Sequence, residues 1–442
     1  MQACLLGAVL LHAFTGGAQP VVTQIAAEGS HSLFLKSDGS LWAMGYNNYG
    51  ELGDGTYNST NLPEMIVSNN VMAIAAGYYH SLFLKNDGSL WAMGWNEAGQ
   101  LGSGTFIMTN RPELIVSNNV TAIAAGQYHS LFIKSDGSLW AMGNNGYGQL
   151  GDGTYSGNIA GFGGTNLPEM IVTSNVTAIA AGYYYSLFLK NDGSLWAMGN
   201  NSFGVLGDST YNQTNLPEMI VSNNVTAIAA GRYHSLFLMS DGSLWAMGLN
   251  SSGQLGNGTY NNTNLPELIM ASNTTAIATG PLHSLFLKND GSLWAMGDNY
   301  TGELGDGTYN STNLPEMIVS NNVTAIAAGL YSSLFITRDG DLWAMGNNSS
   351  GQLGDGTYSN VNLPELITGN YVPMSGQLLN NGIMRFSFLR RSGAKYALDR
   401  SFSLMPPNWV QQTTTLIFQG SFFFTNGPNP ATNNFWRIRT VP

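Results

Sequence analysis

The sequence has one cysteine, Cys4, in 442 residues, and only 9% of its side chains are charged. A single thiol excludes a disulfide framework and a cysteine-ligated zinc site. Basic residues are scarce: 15 Lys and Arg stand against 26 Asp and Glu, a formal net charge of −11. That balance argues against a nucleic-acid partner, which calls for a basic surface. No run of eighteen apolar residues occurs, so no membrane-spanning helix is expected. The 55 glycines and abundant asparagines are poor helix formers and argue against a helical bundle. What is present is ample apolar content, 43% of the chain, enough for a sizeable core.

Residues 1–18 read as a separate segment. Leu5 to Phe14 is a short apolar run, and Thr15-Gly16-Gly17-Ala18 supplies the small residues of a cleavage site. This is the layout of a secretory signal removed after Ala18, although no Lys or Arg precedes the run. Cys4 lies ahead of the run, unlike a lipoprotein cysteine. The expectation is a secreted, extracellular or cell-surface protein.

Internal repetition organises the rest. Leu-Trp-Ala-Met-Gly occurs seven times, placing Trp42, Trp91, Trp140, Trp196, Trp245, Trp294 and Trp343 at spacings of 49, 49, 56, 49, 49 and 49 residues. The long spacing is an insertion within Tyr155 to Thr165. Each unit predicts four short strands, in the second unit Met72 to Ala76, Ser81 to Lys85, Leu90 to Met93 and Leu114 to Val116. Asp87-Gly88 is a strong hairpin turn, and Ser117-Asn118-Asn119 links one unit to the next. Seven four-stranded units predict an all-β fold, a seven-bladed β-propeller over residues 21–368, with an open solenoid as the rival. The small Ala-Ile-Ala-Ala strand suits the crowded axis. Two registers fit the repeat: blades coincident with units, or offset by one strand so that Leu363 to Ile367 closes the ring beside Val21 to Ala27.

The stretch Gly-Tyr-Tyr-His-Ser-Leu-Phe-Leu-Lys-Asn-Asp-Gly-Ser-Leu-Trp-Ala-Met-Gly-Trp-Asn-Glu-Ala-Gly-Gln-Leu-Gly-Ser-Gly, residues 77–104, closely resembles the regulator of chromosome condensation repeat. The resemblance extends over about 21–368. It implies a seven-bladed propeller serving as a scaffold for protein binding. The family includes a guanine-nucleotide exchange factor and secreted bacterial proteins such as the β-lactamase inhibitory protein of this fold. Fold alone does not transfer function.

His31, His80, His129, His234 and His283 fall at one repeat position, held by Tyr185 and Ser332 in the other two units. A catalytic histidine is singular, so these read as repeated structural hydrogen bonds, as the seven tryptophans read as core. The sixth histidine, His12, lies in the leader. Asp54, Asp152, Asp208, Asp306 and Asp355, replaced by Ser103 and Asn257, supply one carboxylate per loop. That is too few for calcium and suited to Asx turns. No metal and no cofactor is expected.

Variation between units concentrates on one face, where the first–second and third–fourth loops emerge together. Its candidate partner-binding residues are Tyr46, Tyr78, Trp95, Tyr147, Phe162, Tyr183, Phe203, Leu249 and Tyr300, with Ile159 beside Phe162 in the insertion. Tyr79, Tyr128, Tyr184, Tyr233 and Tyr331 recur and either pack beneath the rim or join it. The leading expectation is a non-enzymatic, monomeric scaffold that binds a protein through this aromatic face. The alternatives are a hydrolase or lyase using the non-repeating acids Glu28, Glu97, Glu303 and Asp298, and nucleotide exchange by family analogy.

After Thr368 the composition changes. Arg385, Arg390, Arg391, Lys395, Arg400, Arg437 and Arg439 oppose Asp399 alone, whereas residues 1–368 hold 8 basic and 25 acidic side chains. Alternation at Met384 to Leu389 and Phe435 to Thr440 predicts a small basic β module over 373–442. Its pattern looks like a module that closes many secreted bacterial proteins.

Overall fold

The computed structural model describes residues 20–157 and 162–368, together with the backbone of six strands between 374 and 441. The leader with Cys4 and His12, residue Ile159, and the basic side chains of the tail lie outside the described residues. The fold is a seven-bladed β-propeller of four-stranded antiparallel blades. The first blade comprises β1 (Val22–Ala27), β2 (His31–Lys36), β3 (Leu41–Gly45) and β4 (Thr60–Val67). The second comprises β5 (Val71–Ala76), β6 (His80–Lys85), β7 (Leu90–Gly94) and β8 (Thr109–Val116). The last blade ends on Val361–Thr368, paired with Leu342–Gly346 of the same blade. Blades therefore coincide with sequence units, and no strand is exchanged at closure. Towards the C-terminus, strands Met374–Leu378, Met384–Phe388 and Ser421–Phe424 form one sheet. Val410–Leu416, Lys395–Ser401 and Phe435–Val441 form another.

The fourth strand is longer than its sequence suggests. β8 begins at Thr109, five residues before Leu114, and runs through Pro112. Proline ends a predicted strand because it cannot donate to a ladder. Here β8 is the outer edge, paired only with β7, so a ladder donor is dispensable on its open side. The same proline discourages pairing with a second chain.

Each hairpin couples its turn to its core tryptophan. Asp38 accepts from Ser40 Oγ at 2.6 Å, and Ser40 Oγ accepts from Trp42 Nε1 at 2.9 Å. Trp42 stacks on Phe34 at 6.0 Å with Lys36 Nζ 4.1 Å above the ring. All five lysines among the described residues sit this way over a tryptophan. In the last blade Asp341 takes the serine position, and Trp343 Nε1 is buried without a partner.

Blades meet through two kinds of joint. Each Leu-Gly glycine of a third–fourth loop receives the methionine of the next blade's third strand. A Cβ on Gly53 (φ 77°) would lie 2.5 Å from Met93 Sδ. This seat recurs around the whole ring, and Gly354 receives Met44 to close it. The closing core joins Val22, Phe34 and Met44 to Leu334, Ile336 and Leu353. Val22 N also donates to Gly340 O at 3.2 Å, so the ring is shut rather than an open solenoid.

The second joint uses the repeated histidines. His31 Nε2 lies 2.8 Å from Ser81 Oγ of the next blade, and Ser81 Oγ donates to Glu51 O at 2.7 Å. The serine's one proton goes to that carbonyl, so the histidine donates from Nε2 and Nδ1 is bare. His80, His129, His234 and His283 repeat the contact with Ser130, Ser186, Ser284 and Ser333. Each Nδ1 is buried without a partner. Burial holds these imidazoles neutral, down to about 4 for His31 and about 3 for His129.

In the fourth blade Tyr185 takes over, its hydroxyl donating to His234 O at 2.6 Å and lying 3.0 Å from Ser235 Oγ. Tyr185→Phe is expected to cost about 1 kcal/mol, because it removes a buried hydrogen bond while Gly231 N still donates to His234 O at 2.9 Å. Tyr185→His, which rebuilds the clasp of the other blades, is expected to cost less. Urea unfolding of the two variants checks the order. At the last joint Ser332 is too short to reach Ser32, which keeps the repeated serine bond, donating to Gln352 O at 2.8 Å.

Candidate binding face

Antiparallel strands bring the first–second and third–fourth loops to one end of every blade. Backbone bonds lock them together: Tyr46 N to Ser30 O at 2.9 Å, Trp95 N to Tyr79 O at 2.9 Å, and Leu249 N to Tyr233 O at 2.7 Å. Beneath the variable tips lies a constant frame. Asn47 Oδ1 accepts from Leu52 N at 2.9 Å while its Nδ2 donates to Asp54 Oδ1 at 3.1 Å. Asp54 also accepts from Thr56 N at 2.8 Å and Thr56 Oγ1 at 2.7 Å. Ser103 and Asn257 serve the same asparagine position in their blades. These acids build turns, and among the described residues no cluster of three His, Cys, Asp or Glu could hold a metal.

On this frame the aromatics form an arc over blades one to five. Tyr46 lies 6.1 Å from Tyr49, Tyr49 lies 5.1 Å from Tyr79, and Tyr79 lies 6.4 Å from Tyr128. The arc continues through Tyr184, 5.8 Å from Tyr128 and 4.7 Å from Tyr147. It ends with Tyr183, 5.4 Å from Tyr233, and Phe203, 4.8 Å from Tyr233. Edge-to-face pairs such as Tyr78–Tyr79 at 4.4 Å hold the rings in fixed poses. Four recurring tyrosines, Tyr79, Tyr128, Tyr184 and Tyr233, are thus half-buried members of the arc.

Singular positions differ in exposure. Tyr300 is 82% and Phe162 49% exposed, whereas Trp95 is only 7% exposed, enclosed by Tyr49, Tyr79, Tyr128 and Phe162. Trp95 therefore orients its neighbours more than it offers a surface. Tyr46, Tyr78, Tyr147, Tyr183, Phe203 and Leu249 are partly buried.

At the axis Arg232, absent from the candidate partner-binding residues, meets Glu28, one of the non-repeating acids. Arg232 lies 4.4 Å above Tyr183 and 5.1 Å from the Tyr233 ring, with Nη2 3.4 Å from the Tyr183 hydroxyl. Its Nε is buried without a hydrogen-bond partner. Glu28 of the first blade lines the same space. It stands where the second blade has Gly77, on which a Cβ would lie 2.5 Å from His80 Cε1. The first loop shifts to admit its side chain: Leu330 N bonds Gly29 O at 3.1 Å, one residue later than the Tyr78 N to Gly126 O bond at 3.2 Å. Burial pushes the Glu28 carboxyl well above the usual carboxylate range. The signal in the sequence was positional, since Arg232 is the sole cation, and Glu28 the sole acid, at its loop position.

The other non-repeating acids have structural counterparts. Glu303 is fully buried, Asp298 nearly so, and burial raises both carboxyls. Glu303 Oε2 accepts from Thr301 N at 2.8 Å and Asp298 from Ser311 Oγ at 3.1 Å. They occupy the places of Gln352 and Asn347, where Gln352 Nε2 donates to Asn347 Oδ1 at 2.7 Å. The two acids take the positions of that amide pair, with Glu303 Oε1 buried without a hydrogen-bond partner. Glu97 is exposed on the insertion side.

The described fold matches known proteins. A family model for the RCC1-like domain covers residues 155–380. Models of the regulator of chromosome condensation (RCC1) repeat cover 22–51, 71–100 and 120–149, and also 38–84 and 87–133. Human WBSCR16 is similar in structure, with a TM-score of 0.68 and 24% identity over 76% of this chain and 96% of that one. Prp20p of Saccharomyces cerevisiae, described with its binding to Gsp1p and histones, gives 0.67 and 22% over 76% and 88%. Yeast RCC1 (Prp20) bound to Kap60 gives 0.66 and 21% over 84% and 92%. At such identities the likeness is one of fold. No curated protein matches in sequence.

Proposed function

Because the chain belongs to the RCC1-like family of β-propellers, we propose that it is a scaffold that captures a protein partner through the aromatic loop face. The observation that carries this reading is the confinement of unit-to-unit variation to one face, above a frame that is otherwise repeated. Tyrosine offers large, rigid contact area at low entropic cost, and Ser, Asn and Gly supply adaptable loop backbone. Tyr300 and Phe162 are the most exposed of the candidate partner-binding residues and are assigned as anchors. Replacing both with Ala is expected to weaken capture of the partner at least tenfold while leaving the thermal transition in place. Capture at wild-type affinity overturns the assignment. The buried acid pair Asp298–Glu303 repeats an amide pair, which favours binding over hydrolysis as the task of this face. The leader supports delivery outside the cell; N-terminal sequencing of secreted protein beginning at Gln19 tests it.

A further inference from the structure

The mouth of the central axis is unlike the rest of the face. Every lysine among the described residues lies over a tryptophan, Arg111 at the start of β8 reaches Gly55 of the first blade, and Arg338 sits beside the Asp339-Gly340 turn at the opposite end. Arg232 is thus the cation of the first–second loops, set in a propeller whose sequence is strongly acidic. It lines a space of about 10 Å³ with Glu28, Tyr78 and Tyr183, room for a single oxygen-sized atom. Its Nε, shielded from solvent, has no protein acceptor, which is costly for a charged donor. The groups around the space include the guanidinium N–H and the tyrosine hydroxyls as donors, and burial disfavours the charged form of the Glu28 carboxyl. A donor-rich pocket calls for an acceptor as its ligand.

We propose that this mouth receives a carboxylate, an Asp or Glu side chain of the protein partner, with one oxygen entering the space beside Arg232. The proposal rests on the protein-binding reading above and names the chemistry at its centre. Arginine presents parallel donors that match a carboxylate, and its stacking on Tyr183 and Tyr233 pre-orients them. A phosphate fits less well: it presents three oxygens to a space for one, and its second charge is repelled more by the surrounding acidic propeller.

The test uses the full chain and two peptides, N-acetyl-Gly-Tyr-Asp-Tyr-Gly-amide and its Asn analogue. The Asp peptide is expected to bind at least tenfold more tightly, and Arg232→Gln to reduce it to the level of the Asn peptide. Equal binding of both peptides to the unaltered chain overturns the proposal, and tighter binding of a phosphoserine analogue overturns the choice of carboxylate. Should Arg232→Gln fail to fold, 15N-arginine spectra of the unaltered chain decide. Acetate should shift a buried Nε–H signal that acetamide and sodium chloride leave in place, and equal shifts overturn the proposal. Loss of capture on replacing Tyr300 and Phe162 is independent of these readouts, so the two readings fail separately.

Discussion

Lowering the pH from 7 to 5 is expected to destabilise the propeller by about 2–7 kcal/mol. The five clasp histidines are neutral in the fold, held down to between about 3 and 4, but titrate near 6.5 once unfolded. The unfolded chain therefore binds more protons below about pH 6.5. Stability is full above that value and is lost as pH falls towards the folded pKa. Over this interval each histidine contributes a loss of about 2 kcal/mol. Buried carboxyls act the other way. Glu51, pushed up to about 8 by burial, is protonated in the fold at pH 5 and offsets about 2.5 kcal/mol. Glu28 and Glu303 act in the same direction. Below about pH 4.5 the unfolded carboxyls also take up protons, the offset fades, and the slope steepens. Urea midpoints from pH 7 to pH 4 measure the profile, and a flat profile contradicts it. His129→Gln keeps a donor for Ser186 Oγ and should remove about one proton, roughly 1.4 kcal/mol per pH unit, from the slope.

Gly354→Val is expected to cost about 3 kcal/mol or more. At φ 75° an L side chain is strained by about 1–2 kcal/mol. Its Cβ would also collide with Met44 Sδ at the joint that closes the ring, adding an overpacking cost of about 1–3 kcal/mol. Combining Gly354→Val with Met44→Ala removes the collision and leaves the backbone strain. The double variant should therefore lose less than the sum of the two single variants; strict additivity in urea unfolding contradicts the seat. Gly104→Ala is the control. At φ 80° its Cβ would meet Leu167 Cδ2 at an ordinary 3.5 Å, so only the backbone term applies.

The repeat made the blade count and the strand order readable, because a unit that cannot bury its own faces must stack on copies of itself. Register was not readable: a periodic string has no preferred starting point, and only the pairing of Val361–Thr368 with Leu342–Gly346 assigns the last strand. The start of β8 was hidden by Pro112, whose exclusion from sheets applies to central strands and not to an open edge. On the face, singularity proved a mixed guide. It found exposed Tyr300 and also Trp95, which is singular yet enclosed, because the recurring Tyr79 and Tyr128 close around it. Arg232 and Glu28 were visible as isolated substitutions, but only the closed ring brings the first and fifth units to one space.

The methionine seats and histidine clasps are nearly the same at every joint, which bears on assembly. Each blade presents a surface that fits the blade after it and, almost as well, any other blade. A folding chain therefore meets many false partners of near-native quality, within itself and in a second molecule, and rings built from two chains use the same contacts. Two joints carry their own marks: Tyr185 replaces the histidine between the fourth and fifth blades, and the seam between the last and first blades has Ser332 in place of the histidine and Glu28 in place of the glycine. Those exchanges make these joints differ from the other five, where histidine and glycine recur.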